Sequence, residues 1–172
     1  GEDNSVRVAF QGERALQLYN SVNSRLGAYA AMPEIDADYD TLQVNFYARP
    51  FHEEDGEISG IHDAPLIFGT MTDPNQSNTF VGLDTLYFSH PEYEDGQDAT
   101  KLQDNGWQKM STRLTGAAGR YAAFAFPTKG DAWYIDNISF SEHTCLAPNG
   151  LKALDVTAHT AQIYWRPYDK GV

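Results

Sequence analysis

In residues 41–49, T-L-Q-V-N-F-Y-A-R, apolar and polar positions alternate, placing Leu42, Val44 and Phe46 on one side of an extended chain. Short runs of the same β-branched or aromatic kind recur at 14–19 (R-A-L-Q-L-Y), 65–71 (P-L-I-F-G-T-M), 79–83 (T-F-V-G-L), 84–88 (D-T-L-Y-F), 107–114 (W-Q-K-M-S-T-R-L), 120–126 (R-Y-A-A-F-A-F) and 133–140 (W-Y-I-D-N-I-S-F). Gly, Pro, Asn and Asp break them apart, and no ten-residue window carries a convincing helical stripe. Strands of this length bury one face each, so they must pair and stack. The pattern predicts an all-β chain built as an antiparallel β-sandwich. Two long polar connections, 52–64 and 89–106, interrupt the strands, and loops of that length in a compact β domain are usually functional or mobile.

Composition sets bounds on this reading. At 172 residues, 41% hydrophobic and 13% aromatic, the chain can bury one good core and is about one domain long. A formal net charge of −12 argues against nucleic acid and anionic membrane surfaces as partners, and it suits divalent cations. The single cysteine, Cys145, provides no disulfide framework within the chain. No run approaches the ~18 apolar residues of a transmembrane helix.

After Ser141 the character changes. Residues 1–143 read as the sandwich and 144–150 (T-C-L-A-P-N-G) as a linker, while 151–172 offer two further strands, the second carrying Trp165. Two strands cannot support themselves in water, so either they pack on the first domain or they begin a second β-sandwich, and the tail reads as the second of these.

One carboxylate stands out. Simple alternation along 133–140 puts Asp136 on one face with Tyr134, Ile138 and Phe140, opposite Trp133, Ile135, Asn137 and Ser139. A carboxylate in such apolar company requires strong partners. Either oxygen ligands converge with it on Ca²⁺, or a neighbouring loop donates backbone N–H groups to it.

Other constellations are weaker. Asp36, Asp38 and Asp40 have the D-x-D-x-D spacing of an EF-hand loop, but Thr41 stands where Gly is needed and Tyr47 where Glu is needed. A solvated turn before a strand is the expected role. The acidic clusters at 53–57 and 92–98 read as solvated loops. The five histidines show no H-E-x-x-H spacing, no G-x-S-x-G elbow occurs, and nothing selects a glycosidase pair from 24 acids. The chain is therefore expected not to be an enzyme. If it binds sugars, aromatic faces in or beside the long loops would stack on them, and Phe51, Tyr93 and Trp107 are the candidates.

These residues also carry a resemblance. G-E-R-A-L-Q-L, Y-A-A-M-P-E-I-D, L-Q-V-N-F-Y-A-R, F-G-T-M-T-D-P-N, T-F-V-G-L-D-T-L, G-R-Y-A-A-F-A-F and W-Y-I-D-N-I-S-F resemble successive motifs of the jelly-roll modules of Bacteroidetes surface proteins, akin to cleaved-adhesin, MAM-like and galactose-binding-like carbohydrate-binding domains. The match covers about residues 12–141. The tail, C-L-A-P-N-G-L-K-A-L-D-V-T followed by A-Q-I-Y-W, is similar to the first strands of a fibronectin type III domain. The resemblance implies a jelly roll and an extracellular, cell-surface setting beside other domains of the same polypeptide. It also implies a non-catalytic module that binds glycan or host protein, or that serves as a spacer. It implies a structural Ca²⁺ with Asp136 among its ligands. The family's other ligands come from a segment before G-x-x-A-L-x-L in which this chain departs from the pattern, so Asp136 alone carries over.

Overall fold

The computed structural model describes residues 9–23, 27–54, 57–60, 63–89, 105–142, 149–154, 157 and 159–166. It divides into two compact units, Gly1–Glu142 and His143–Val172.

The first unit is an antiparallel β-sandwich. Its strands are β1 (Leu16–Tyr19), β2 (Ala28–Ala31), β3 (Leu42–Glu54), β4 (Glu57–Gly60), β5 (Leu66–Met71), β6 (Val81–Leu86), β7 (Gln108–Arg113), β8 (Tyr121–Phe126) and β9 (Asp131–Glu142). One sheet has the order β1-β9-β3-β4, with β7 also pairing β3, and the other has the order β2-β8-β5-β6. With β4 set aside, the pairings β1·β9, β2·β8, β3·β7 and β5·β6 describe one long antiparallel ribbon. Rolling that ribbon up adds β3·β9 and β5·β8 and gives the two sheets of a jelly roll.

The core lies between the sheets. Leu42, Val44, Phe46 and Ala48 of β3 point inward with Leu18, Met110, Trp133 and Ile135, and they meet Leu66, Phe68, Ala122, Phe124 and Phe126 from the opposite sheet. Edge-on rings pack the core: Phe46 stands 4.9 Å from Phe124 across the two sheets, and Phe68 stands 5.3 Å from Phe124 within one sheet. The Trp133 indole donates to the Ala64 carbonyl at 3.1 Å, which gives this fully buried side chain a polar partner.

The strand boundaries differ from the sequence reading in three places. The runs at 79–83 and 84–88 belong largely to one strand, β6. The strand β2, A-Y-A-A, was not expected, because alanine carries little β preference and the pairing with β8 makes it a strand. The expected loop 52–64 is largely hairpin, with β3 running on to Glu54 and pairing β4.

The closing strand holds the main correction. From Asn45 to Tyr47 β3 advances two residues while β9 advances three, from Asp136 to Ser139. This β-bulge centres on Asn137, whose φ of +50° is one that asparagine tolerates better than most residues. The extra residue inverts the alternation. Ile138 and Phe140 pack on the inner core with Trp133 and Ile135, whereas Asp136 shares the outer face with Tyr134. The expected grouping of Tyr134, Asp136, Ile138 and Phe140 does not form.

The second unit is a hairpin of β10 (Asn149–Leu154) and β11 (Gln162–Arg166). Thr157 and Thr160 hold its turn through a backbone hydrogen bond of 2.7 Å and a hydroxyl contact of 2.8 Å. Asn149 and Gly150, expected in the linker, are the first residues of β10. Among the described residues no helix is long and apolar enough to cross a membrane.

Candidate functional site

The outward positions of the β1-β9-β3-β7 sheet divide into an aromatic half and a polar half. In the aromatic half, Phe51, Trp107, Ala132 and Tyr134 form a second buried cluster, with Phe10, Ala15 and Tyr47 packed against it. Arg49 lies at its centre and is fully buried. Its guanidinium carbon stands 4.3 Å from the Phe51 ring centre, 4.6 Å from Trp107 and 5.7 Å from Tyr134, and Nη1 donates to the Asn105 carbonyl at 3.0 Å. Three π faces and a carbonyl replace the water that a buried cation loses. Burial pushes Arg49 down to about 10, with Tyr134 partly opposing, so it stays charged at neutral pH.

Residues 9–11 strap this cluster from outside. Phe10 stacks on Tyr47 with ring centres 3.7 Å apart and meets Trp107 edge-on at 5.9 Å. Asp136 clasps the strap: Oδ2 accepts from the backbone N–H of Phe10 at 2.9 Å and of Gln11 at 3.0 Å, and Oδ1 accepts from the N–H of Asn137 at 2.7 Å. The Asn137 side chain in turn donates to the Gln11 amide oxygen at 2.8 Å.

The polar half adjoins the strap. An open cleft of about 560 Å³ is lined by Gln11, Asn45, Tyr47, Lys109, Asn137 and Ser139, with Phe46 and Ile138 beneath. Around it, Gln43 donates to the Asn45 side-chain oxygen at 2.7 Å, and Asn45 donates to the Ser141 hydroxyl at 3.0 Å. Such a surface presents amide donors, amide acceptors and hydroxyls over a span of several residues.

Phe51 and Trp107, expected as exposed ligand platforms, are 1% and 4% exposed. They are brought together, but around Arg49, and neither offers a face to solvent. Tyr93 lies outside the described residues. Asp136 takes the second of its two expected roles, as acceptor of backbone N–H groups from a loop. Three N–H groups converge on its two oxygens and would meet an incoming cation with positive charge, so this donor set does not fit Ca²⁺. The D-x-D-x-D run is a turn: Asp38 accepts from the Asp40 N–H at 3.1 Å, and Asp40 accepts from the Gly116 N–H at 3.0 Å. The sequence does not single out the cleft residues, because the inward set of 41–49 carries the clearer hydrophobic signal. The outward set of the same alternation, Gln43, Asn45, Tyr47 and Arg49, was the available signal.

No family model matches the chain, and no curated protein matches it.

An Asp136→Asn variant is expected to lose about 2 kcal/mol, since an amide nitrogen would face N–H groups that a carboxylate now accepts. The melting temperature of the unaltered protein should be the same with and without EDTA. A fall on chelation would show that a metal supports the native state after all.

Proposed function

We propose that the unit Gly1–Glu142 is a non-catalytic glycan-binding module that holds its ligand in the cleft on the outer face of the β1-β9-β3-β7 sheet. The observation that carries this reading is the lining itself. Gln11, Asn45, Asn137 and Ser139 present amides and a hydroxyl side by side, each able to donate to and accept from sugar hydroxyls. Tyr47 adds a phenol beside them, with one ring face taken by Phe10. Among the described residues the lining supplies no pair of carboxylic acids for glycoside hydrolysis. Of the ligand classes implied by the motif resemblance, glycan or host protein, this amide-rich surface favours glycan.

The same resemblance supports a setting outside the cell, on a bacterial surface protein, with the β10–β11 hairpin as the start of a fibronectin type III domain. Screening the protein on a glycan array should yield retention on at least one glycan. Asn45→Ala should weaken that binding several-fold, the equivalent of one hydrogen bond of about 1 kcal/mol. A protein that binds no glycan would instead be a spacer between neighbouring domains.

A further inference from the structure

Charge is distributed unevenly between this cleft and the rest of the molecule. The chain carries 24 acidic side chains against 12 Lys and Arg, yet among the described residues the lining contains no carboxylate and one cation, Lys109. Lys109 is exposed, and among the described residues no ion pair occupies it. Two further cations occupy outward positions of the same strands: Arg49, across from Tyr134, and Arg113, across from Gln43. Asp136 is an acid on the same face. Lys109 and Asp136 both pair with Tyr47, from opposite sides, so they stand two strands, or roughly 10 Å, apart. Both oxygens of Asp136 already accept backbone N–H groups. Among the described residues no acid is paired with Lys109, which leaves it open to an anion from solvent.

Resting on the glycan reading above, we infer that the cleft selects a sugar bearing one anionic group, a carboxylate or a sulfate ester, which Lys109 pairs while the amides bond the neighbouring hydroxyls. The overall charge of −12 limits this to an isolated charge, because a polyanionic chain would be repelled by the remaining surface. A single charge at the cleft gains a charge-assisted hydrogen bond, stronger than a neutral one.

The test is a set of arrayed neutral oligosaccharides, each paired with a counterpart carrying one terminal uronic or sialic acid and a counterpart carrying one sulfate ester. The protein should prefer an anionic member to its neutral parent by roughly tenfold. That margin should close in Lys109→Gln and persist in Lys129→Gln, which removes the same charge from an exposed turn. The carboxylate and sulfate arms then show which anion is preferred. Equal binding of neutral and anionic members would overturn the inference and leave the glycan reading standing. A margin that survives in Lys109→Gln, or that closes equally in Lys129→Gln, would overturn the assignment to Lys109. Binding to no member of the set would overturn the glycan reading itself, and this inference with it.

Discussion

Replacing Gly69 with alanine is expected to cost about 3 kcal/mol or more and to lower the melting temperature by roughly 10 °C. A Cβ at this position would lie 2.1 Å from the Val81 carbonyl oxygen and 2.9 Å from both the Gly82 Cα and the edge of the Phe80 ring. The ring could swing away, but a backbone oxygen paired into the sheet cannot. Gly69 sits beside the register shift between β5 and β6. An added methyl group would push the edge strand β6 off the sheet. Thermal unfolding followed by circular dichroism checks this, and a variant that melts within a degree or two of the parent would show that β6 can shift without loss.

The second large effect is expected at Arg49. An Arg49→Ala change should destabilise the protein by about 3 to 5 kcal/mol, because it empties the space between Phe51, Trp107 and Tyr134 and leaves the Asn105 carbonyl without this donor. Arg49→Met should recover most of that loss. Its side chain fills much of the same volume, and removing the charge also removes the cost of burying it. Urea denaturation of the three proteins separates packing from charge. If Met proves as damaging as Ala, the guanidinium's hydrogen bonds and π contacts hold the cluster together, and packing is secondary. Either result bears on function, since the cluster supports Phe10 and Tyr47 and, through them, one wall of the cleft.

The sandwich was legible because its inward residues alternate without interruption along β3, where Leu42, Val44, Phe46 and Ala48 all reach the core. The strand β2 was not legible, since Ala28, Ala30 and Ala31 have no β preference of their own and adopt it from the β8 ladder. The site was legible only in fragments. Asp136 reads from the sequence as a carboxylate that needs partners, and the structure gives it backbone N–H partners on the outer face. A bulge shifts the phase of everything beyond it and leaves no mark on composition. Phe51 and Trp107 read from the sequence as ligand-binding aromatics; that both pack around Arg49 is not visible there.

Local pattern by itself determined the all-β class, the inward set of β3, the change of character after Ser141 and the acidic surface. Each of these follows from residue type and from the two-residue period of an extended chain, which act over a few positions. Tertiary structure alone decided which strands pair, where β9 bulges, which aromatics are buried around Arg49, and that Gln11, Asn45, Lys109 and Asn137 line one cleft. Those residues lie up to 126 positions apart in sequence, as Gln11 and Asn137 do. Rolling the ribbon into two sheets brings them together, so their neighbourhood is a property of the fold and of no single segment.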